Sequence, residues 1–581
     1  MKHLAYINKY FYKYRKQLIL GVLITIIARL FSLVMPKSVQ YAIKVVEDYM
    51  ESPNKEANIG NTLLLYSLLI ITAVILSGFF TFWMRQLIIN VSRYIEFDMK
   101  NEIYQKYQTL SQRFYKQNRT GDLMNRMSED VGKVRMYTGP ALMYSVQTIT
   151  LFLCSIPLMF YTSTTLAIYA LLPLPILAFL VYFISRKINQ KTIEVQKFLS
   201  DISSFSQETF SGIHTIKAFV MEEETQKNVD KISQEGRKKH LALLRIEAWF
   251  FPIMIFLIGI SIIFVIFVGG RLYVSGEIQS IGVITEFTIY VMMLTWPVAT
   301  VGWVSNIVQQ AEASQGRINE FLNEKSDIET TIQYSTPIQG DIRFENVTFT
   351  YPDTQITALK EVSFHIPQGK NIAIIGRTGS GKSTILDLIT RMYDVQQGHI
   401  FIDGRDVRTL NLNDLRKAIS VIPQDSFLFS DTIGNNIKYG KSEATQEEII
   451  AVAKLAQVHD NIMDFKDGYE TILGERGISL SGGQRQRVSI ARALLKEAQI
   501  YLFDDCLSAV DTDTEEKILH NLTQIAYNTT RIIVSHRVSV ARNADSILFL
   551  DNGKLIGQGT HQELYENNQE YRNYYDTQVI E

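Results

Sequence analysis

The chain has 581 residues, too many for one compact domain, so two or more are expected. A formal net charge of −1 leaves no electrostatic case for nucleic-acid binding. The two cysteines, Cys154 and Cys506, lack metal-ligand or disulfide spacing, which excludes a disulfide framework and suits a reducing, cytosol-facing chain.

The first residues carry Lys2, Lys9, Lys13, Arg15 and Lys16 around Tyr6, Ile7, Tyr10 and Phe11 at helical spacing. With no small-residue cleavage site following, residues 3–14 are expected to form an interfacial helix on the cytoplasmic leaflet. A membrane-spanning helix needs about 20 mostly apolar residues. Six stretches qualify, near 17–36, 62–84, 140–160, 164–184, 249–269 and 282–304. The third and fourth are joined by a tight hairpin at Tyr161 to Thr164. Lys and Arg crowd the segments between the second and third spans and between the fourth and fifth, while the loop after the first span is acidic, with Glu47, Asp48, Glu51 and Glu56. By the positive-inside rule the N-terminus and both long loops lie in the cytoplasm. Those loops are nearly free of proline and keep helical spacing, so the spans should continue as a stalk. Short transverse helices are expected near Arg113–Gly121 and Phe210–Phe219. Arg29 interrupts an apolar run. It either lines a cavity or gate, or is a structural pair with a carboxylate or backbone carbonyl, and the pair is the expectation.

Polar residues 324–339 read as a linker between a membrane region, 1–323, and a second region, 340–581. In the second, short β-branched runs alternate with helical patterns, which predicts an α/β nucleotide-binding domain. The sequence NIAIIGRTGSGKST, 371–384, places a strand before a glycine loop and a helix start. Gly376, Arg377, Thr378, Gly379, Ser380 and Gly381 can turn backbone N–H groups toward phosphate oxygens. Lys382 would reach the β- and γ-phosphates, and Ser383, followed by Thr384, would offer a hydroxyl to Mg²⁺. The strand IYLFDD, 500–505, ends in two carboxylates: Asp504 for the magnesium shell and Asp505 where a general base would polarise water. Between these lies LSGGQRQR, in which Leu480, Ser481, Gly482, Gly483 and Gln484 open a second anion-binding helix. One domain needs one phosphate loop, so the second is explained if it serves a partner's ATP.

With these motifs in order, the chain resembles an ABC transporter half-subunit of the exporter type (type IV fold) over essentially its whole length. The resemblance implies a multi-domain membrane protein: a six-helix all-α transmembrane domain with long cytoplasmic helical extensions, then an α/β P-loop ATPase domain using ATP and Mg²⁺. Tyr351 in VTFTYP resembles the aromatic that stacks on adenine, and Gln424 in VIPQDSFLF the glutamine that contacts Mg²⁺. TILGERG, with Glu475, resembles the exporter X-loop. SAVD, ending at Asp511, resembles the D-loop, and His536 in IIVSHR resembles the histidine that contacts the γ-phosphate. FYKQNRTGDLMNRMSEDVGKVR (114–135) and ETFSGIHTIKAFVMEEE (208–224) resemble the two coupling regions.

One departure stands out. Most members carry glutamate where this chain has Asp505, one methylene shorter. Retracting the carboxylate by roughly 1 Å can cost about 10²-fold in rate. The substitution resembles the degenerate-site subunit of bacterial heterodimeric multidrug exporters, whose partner is a different half-transporter with a catalytic glutamate. The resemblance therefore implies a heterodimer exporting small amphipathic compounds across the cell membrane. The alternatives are a homodimeric lipid or peptide exporter and, from another class, an ATP-gated channel or regulatory subunit.

Overall fold

The computed structural model describes residues 2–51, 59–329, 332, 334–474, 480–525, 528–538, 542 and 544–580. Glu56 of the acidic loop and Glu475 of TILGERG lie outside the described residues. The chain forms two compact units: Met1–Gln108 with Gly121–Glu324, and Thr109–Thr120 with Lys325–Glu581.

Among its described residues the first unit holds six helices long and apolar enough to cross a membrane: Arg15–Glu51, Ile59–Thr109, Thr120–Thr162, Thr164–Ser211, Glu222–Val274 and Gly282–Leu322. Apolar side chains such as Leu65, Leu68, Ile75 and Phe79 on the second point outward, as a lipid-facing surface requires. Phe287, Tyr290 and Leu294 of the sixth are fully buried and centre the core of the bundle. Close approach is built in by small residues. A Cβ on Gly282 would lie 2.5 Å from the carbonyl oxygen of Gln40, so only glycine lets the first and sixth helices meet there. Ser163 alone separates the third helix from the fourth and caps the latter by accepting from the N–H of Leu166. The long helices are interrupted by short ones at Gln112–Gln117 and Ile213–Ala218.

The N-terminal segment, a turn at His3–Ile7 and a helix at Asn8–Lys13, buries Leu4, Ile7 and Tyr10 within the protein. Its phenols and lysines converge on carboxylates of the second long helix: Tyr6, Lys9 and Tyr10 on Glu102, and Lys13 and Tyr14 on Asp98. Arg29 does form a structural pair, but with the side-chain oxygen of Gln147 at 2.9 Å, not with a carboxylate or backbone carbonyl. A neutral amide satisfies the guanidinium without burying a second charge.

Among its described residues the second unit contains two sheets. The first is antiparallel, in the order β2 (Thr357–Ile366), β1 (Ile342–Thr350), β4 (Gln397–Ile402), β5 (Arg405–Asp406). The second runs β10 (Lys554–Gly559), β9 (Ser546–Asp551), β3 (Asn371–Gly376), β8 (Thr530–Ser535), β7 (Ile500–Asp504), β6 (Ile419–Ile422). All its neighbours are parallel except β10 with β9. Strands buried on both faces read as continuous β-branched runs, and every residue of β3 is buried. Register aligns Ile374 and Asp504 with Val534, so β3, β7 and β8 end side by side. A crevice beyond the carboxyl ends of parallel strands is where such folds bind ligands.

Candidate nucleotide site

β3 runs into the glycine loop and then into the helix Lys382–Ile389. Two glycines are required by geometry. A Cβ on Gly376 would lie 2.1 Å from the carbonyl oxygen of Leu550. Gly381 has φ +97°, and a Cβ there would lie 2.4 Å from the carbonyl oxygen of Ala358. The Lys382 ammonium donates to the carbonyls of Gly376 (2.7 Å) and Arg377 (2.9 Å). Burial lowers its pKa, against the opposing pull of Asp505 and Asp504. A half-buried cation beside a glycine loop at a helix start is a fitting cradle for phosphates.

Asp504, at the end of β7, accepts from the Ser383 hydroxyl at 2.8 Å. Burial raises its pKa, the Ser383 bond opposes, and neighbouring Asp505 adds to the rise. That environment favours a cation at the carboxylate. The hydroxyl–carboxylate pair and the amide of Gln424 are oxygen donors of the kind Mg²⁺ takes. Asp505 has φ +45°, a left-handed conformation that short polar side chains tolerate best, and its N–H donates to the Val534 carbonyl. Its carboxylate lies 2.9 Å from Nδ1 of His536 and 3.5 Å from Nε2 of Gln424. The structure thus gathers Gly376, Arg377, Lys382, Ser383, Asp504, Asp505, Gln424 and His536 at one strand-end crevice. Thr378, Gly379 and Ser380 complete the loop between β3 and the helix, and Ser380 is buried.

Tyr351 follows β1, and its hydroxyl lies 3.0 Å from the Thr384 hydroxyl. Its ring meets those of Phe349 and Tyr393 edge-on at 4.9 and 5.5 Å between centroids. The signature segment is organised separately. Ser481 and Gln484 form a reciprocal capping box at the start of the helix Gly482–Leu495, and Leu480 is buried. A Cβ on Gly483 would come within 2.8 Å of the Ala509 carbonyl oxygen. Asp511 accepts from the Thr514 N–H at 3.0 Å. Among the described residues no hydrogen bond joins 480–484 to the glycine loop.

Sequence reasoning missed the contribution of the last helix, Gln569–Ile580. The Gln578 amide clamps the histidine loop from both sides, donating to the His536 carbonyl at 2.6 Å and accepting from the Val538 N–H at 3.0 Å. The Tyr574 hydroxyl lies 3.1 Å from the His536 carbonyl and 3.3 Å from that of Gly376. A tyrosine and a glutamine four residues apart share one helix face, which was the available signal, but nothing pointed to what that face meets.

The first unit contains a cavity of about 1280 Å³. Tyr144, Tyr182, Trp296 and Trp303 supply aromatic wall, and Asn189 and Gln309 supply amides. Its charged lining is Lys133, Arg186 and Arg317, with no Asp or Glu among the lining residues. Arg317 is held by Asp130.

Residues 18–298 match the family model for the ABC transporter transmembrane region, and residues 359–508 match the one for the ABC transporter. The multidrug resistance-like ATP-binding protein MdlA of Escherichia coli (strain K12) is 33% identical over 583 residues, covering 100% of this chain and 97% of that protein. An ATP-dependent lipid A-core flippase of Syntrophus aciditrophicus (strain SB) is 33% identical over 520 residues, covering 88% of this chain and 85% of the other. A solved bacterial Atm1-family ABC exporter with ATP bound matches with TM-score 0.83 and 25% identity over 98% of this chain and 100% of that one.

Proposed function

The chain belongs to the ABC transporter family, and from that premise we propose that it is one half of a heterodimer exporting amphipathic compounds, with a slow ATP site of its own. The observation that carries the proposal is Asp505, a short carboxylate standing after the magnesium aspartate and held at 2.9 Å by His536. In this reading the glycine loop and Lys382 hold the phosphates, Tyr351 stacks on the base, and His536 contacts the γ-phosphate. Ser383, Asp504 and Gln424 would hold Mg²⁺, which when bound neutralises charge on the phosphates. Asp505 orients water poorly because its carboxylate is drawn back. The signature residues Leu480 to Gln484, with Asp511 beside them, complete the partner's site, where a glutamate drives turnover. The N-terminus and the ATPase unit face the cytoplasm, following the excess of Lys and Arg in the two long loops.

ATP binding favours the closed pair of ATPase domains, and its differential affinity for that state drives the change in access. Hydrolysis at the partner-driven site resets the cycle. The cavity supports an amphipathic cargo, since aromatic wall and amides line the same space. Its cations favour a second reading, a lipid-like substrate with an acidic head, in keeping with the flippase named among the relatives.

The test is ATPase activity of this chain alone and together with a partner half-transporter that has the glutamate. Negligible activity alone and robust activity together, lost when the partner's glutamate becomes glutamine, supports the heterodimer. Robust activity from this chain alone, abolished by Asp505→Asn, would show a working homodimeric site and sink the proposal.

A further inference from the structure

The segment 109–120 lies between two membrane-spanning stretches in sequence, yet it groups with the ATP-binding unit. Its short helix, Gln112–Gln117, brings Lys116 against two aromatic rings. The Lys116 ammonium lies 4.8 Å from the ring centroid of Tyr351 and 5.2 Å from that of Tyr393. A second contact pins the same helix, Arg113 to Asp327 at 3.3 Å. Tyr351 is tied in turn to the phosphate-loop helix through Thr384, two residues after Lys382. One turn further on, Asp387 is held up to about 6 by burial, with the Lys116 charge opposing that rise and Asp504 adding to it. Lys116 therefore faces two rings and a carboxylate that lie around the base end of the nucleotide site.

From this juxtaposition we infer that Lys116 is a positioning residue for the nucleotide base, holding the Tyr351 ring in its stacking orientation and linking base occupancy to the 112–117 helix. The inference rests on the reading of Tyr351 as the base-stacking residue. An ammonium over a ring restricts how that ring can turn, and it polarises the π-system that a purine would meet. The hydroxyl bond to Thr384 fixes the distal end of the ring, so the cation and the hydroxyl together leave Tyr351 one orientation. Linkage makes the effect reciprocal: if Lys116 improves base binding, a bound base strengthens the hold of the short helix on this unit. Chain continuity carries that change into the helix Ile59–Thr109.

The experiment uses the full-length chain and two probes, ATP and inorganic tripolyphosphate, each measured by displacement of a fluorescent ribose-modified ATP. Lys116→Gln should weaken ATP about three- to fivefold and leave tripolyphosphate unchanged, because the lost contact acts only on the base. Lys116→Arg should stay within about twofold of the parent, since guanidinium also stacks on aromatic rings. In a Tyr351→Leu background, Lys116→Gln should add nothing. Unchanged ATP affinity in Lys116→Gln, equal losses for both probes, an equal loss in Lys116→Arg, or an additive loss in the Tyr351→Leu background would each overturn the inference. Tyr351→Leu alone separates the two levels. If it leaves ATP affinity unchanged, the stacking assignment itself is wrong; if it weakens ATP while Lys116→Gln does not, only the role of Lys116 falls.

Discussion

Nδ1 of His536 lies 2.9 Å from the carboxylate of Asp505, and that carboxylate sits on a backbone turned to φ +45°. In the proposed reading, in which Asp505 is the base, its carboxylate stands short of where that of a glutamate would. Asp505→Glu should therefore raise ATP turnover by this chain, by an amount on the order of 10- to 100-fold, with little change in ATP affinity. Steady-state hydrolysis by the purified chain, and by the chain paired with a half-transporter whose glutamate is changed to glutamine, measures it directly. No rise in either would mean that carboxylate reach is not what limits this site.

Gln578 offers a second handle, because its amide satisfies both a carbonyl and an N–H of the loop bearing His536. Gln578→Leu strips the Val538 N–H of its partner and leaves the His536 carbonyl to the Tyr574 hydroxyl alone, at a cost of roughly 1–3 kcal/mol if the N–H stays shielded from water. In an Asp505→Glu background the change should lower kcat at least several-fold and leave the KM for ATP nearly unchanged, since the loop moves His536 and not the phosphate cradle. Gln578→Glu keeps one acceptor and should fall between the two. An unchanged kcat would remove Gln578 from the positioning scheme.

The parts that were legible in the sequence are those whose physics is local. Six apolar runs of spanning length gave six helices, because lipid forces internal backbone pairing. The loop at Gly376 and Gly381, with Lys382 and Ser383 at the helix start, was legible because a tight strand-to-helix turn needs positive φ and close backbone approach within one short stretch. Gln578, Tyr574 and Lys116 were not, because each acts on residues far along the chain and has an ordinary surface sequence around it. The partners of the N-terminal tyrosines were not legible for a related reason: Glu102 and Asp98 lie far along the chain.

Asp387 makes stability depend on pH in a definite direction. Burial raises its pKa from the ordinary value of 3.8 to about 6, so the folded chain holds the proton more tightly than the unfolded chain. The resulting stabilisation is complete below pH ~4 and is lost as pH rises through ~6, by roughly 2–3 kcal/mol. Asp387→Asn removes that loss. The variant should gain thermal stability over the parent at pH 8 and little or none at pH 4.5, measured as the unfolding midpoint of the full-length protein in detergent. A gain of equal size at both pH values would show that the carboxylate does not titrate in this window.

The first and sixth spanning helices share a buried ion pair in which Lys37 Nζ lies 3.1 and 3.3 Å from the two carboxylate oxygens of Glu286 and 3.0 Å from the Thr162 hydroxyl. The Glu286 side chain is 0% exposed. Removing one partner strands the other charge in an apolar interior, at a cost of about 3–5 kcal/mol, whereas replacing both with apolar groups is often neutral. Lys37→Met should therefore lower the thermal midpoint clearly and Glu286→Leu somewhat less, because Lys37 is partly exposed and can reach water. The double variant should recover most of the loss. Recovery would assign the pair a compensating role in joining three helices, since Thr162 closes the third. If the double variant is instead as unstable as the sum of the singles, the two charges act independently and the pair has no compensating role. Transport by the stable double variant then decides whether the charges are needed as helices separate during the cycle, since a merely structural pair would leave turnover intact.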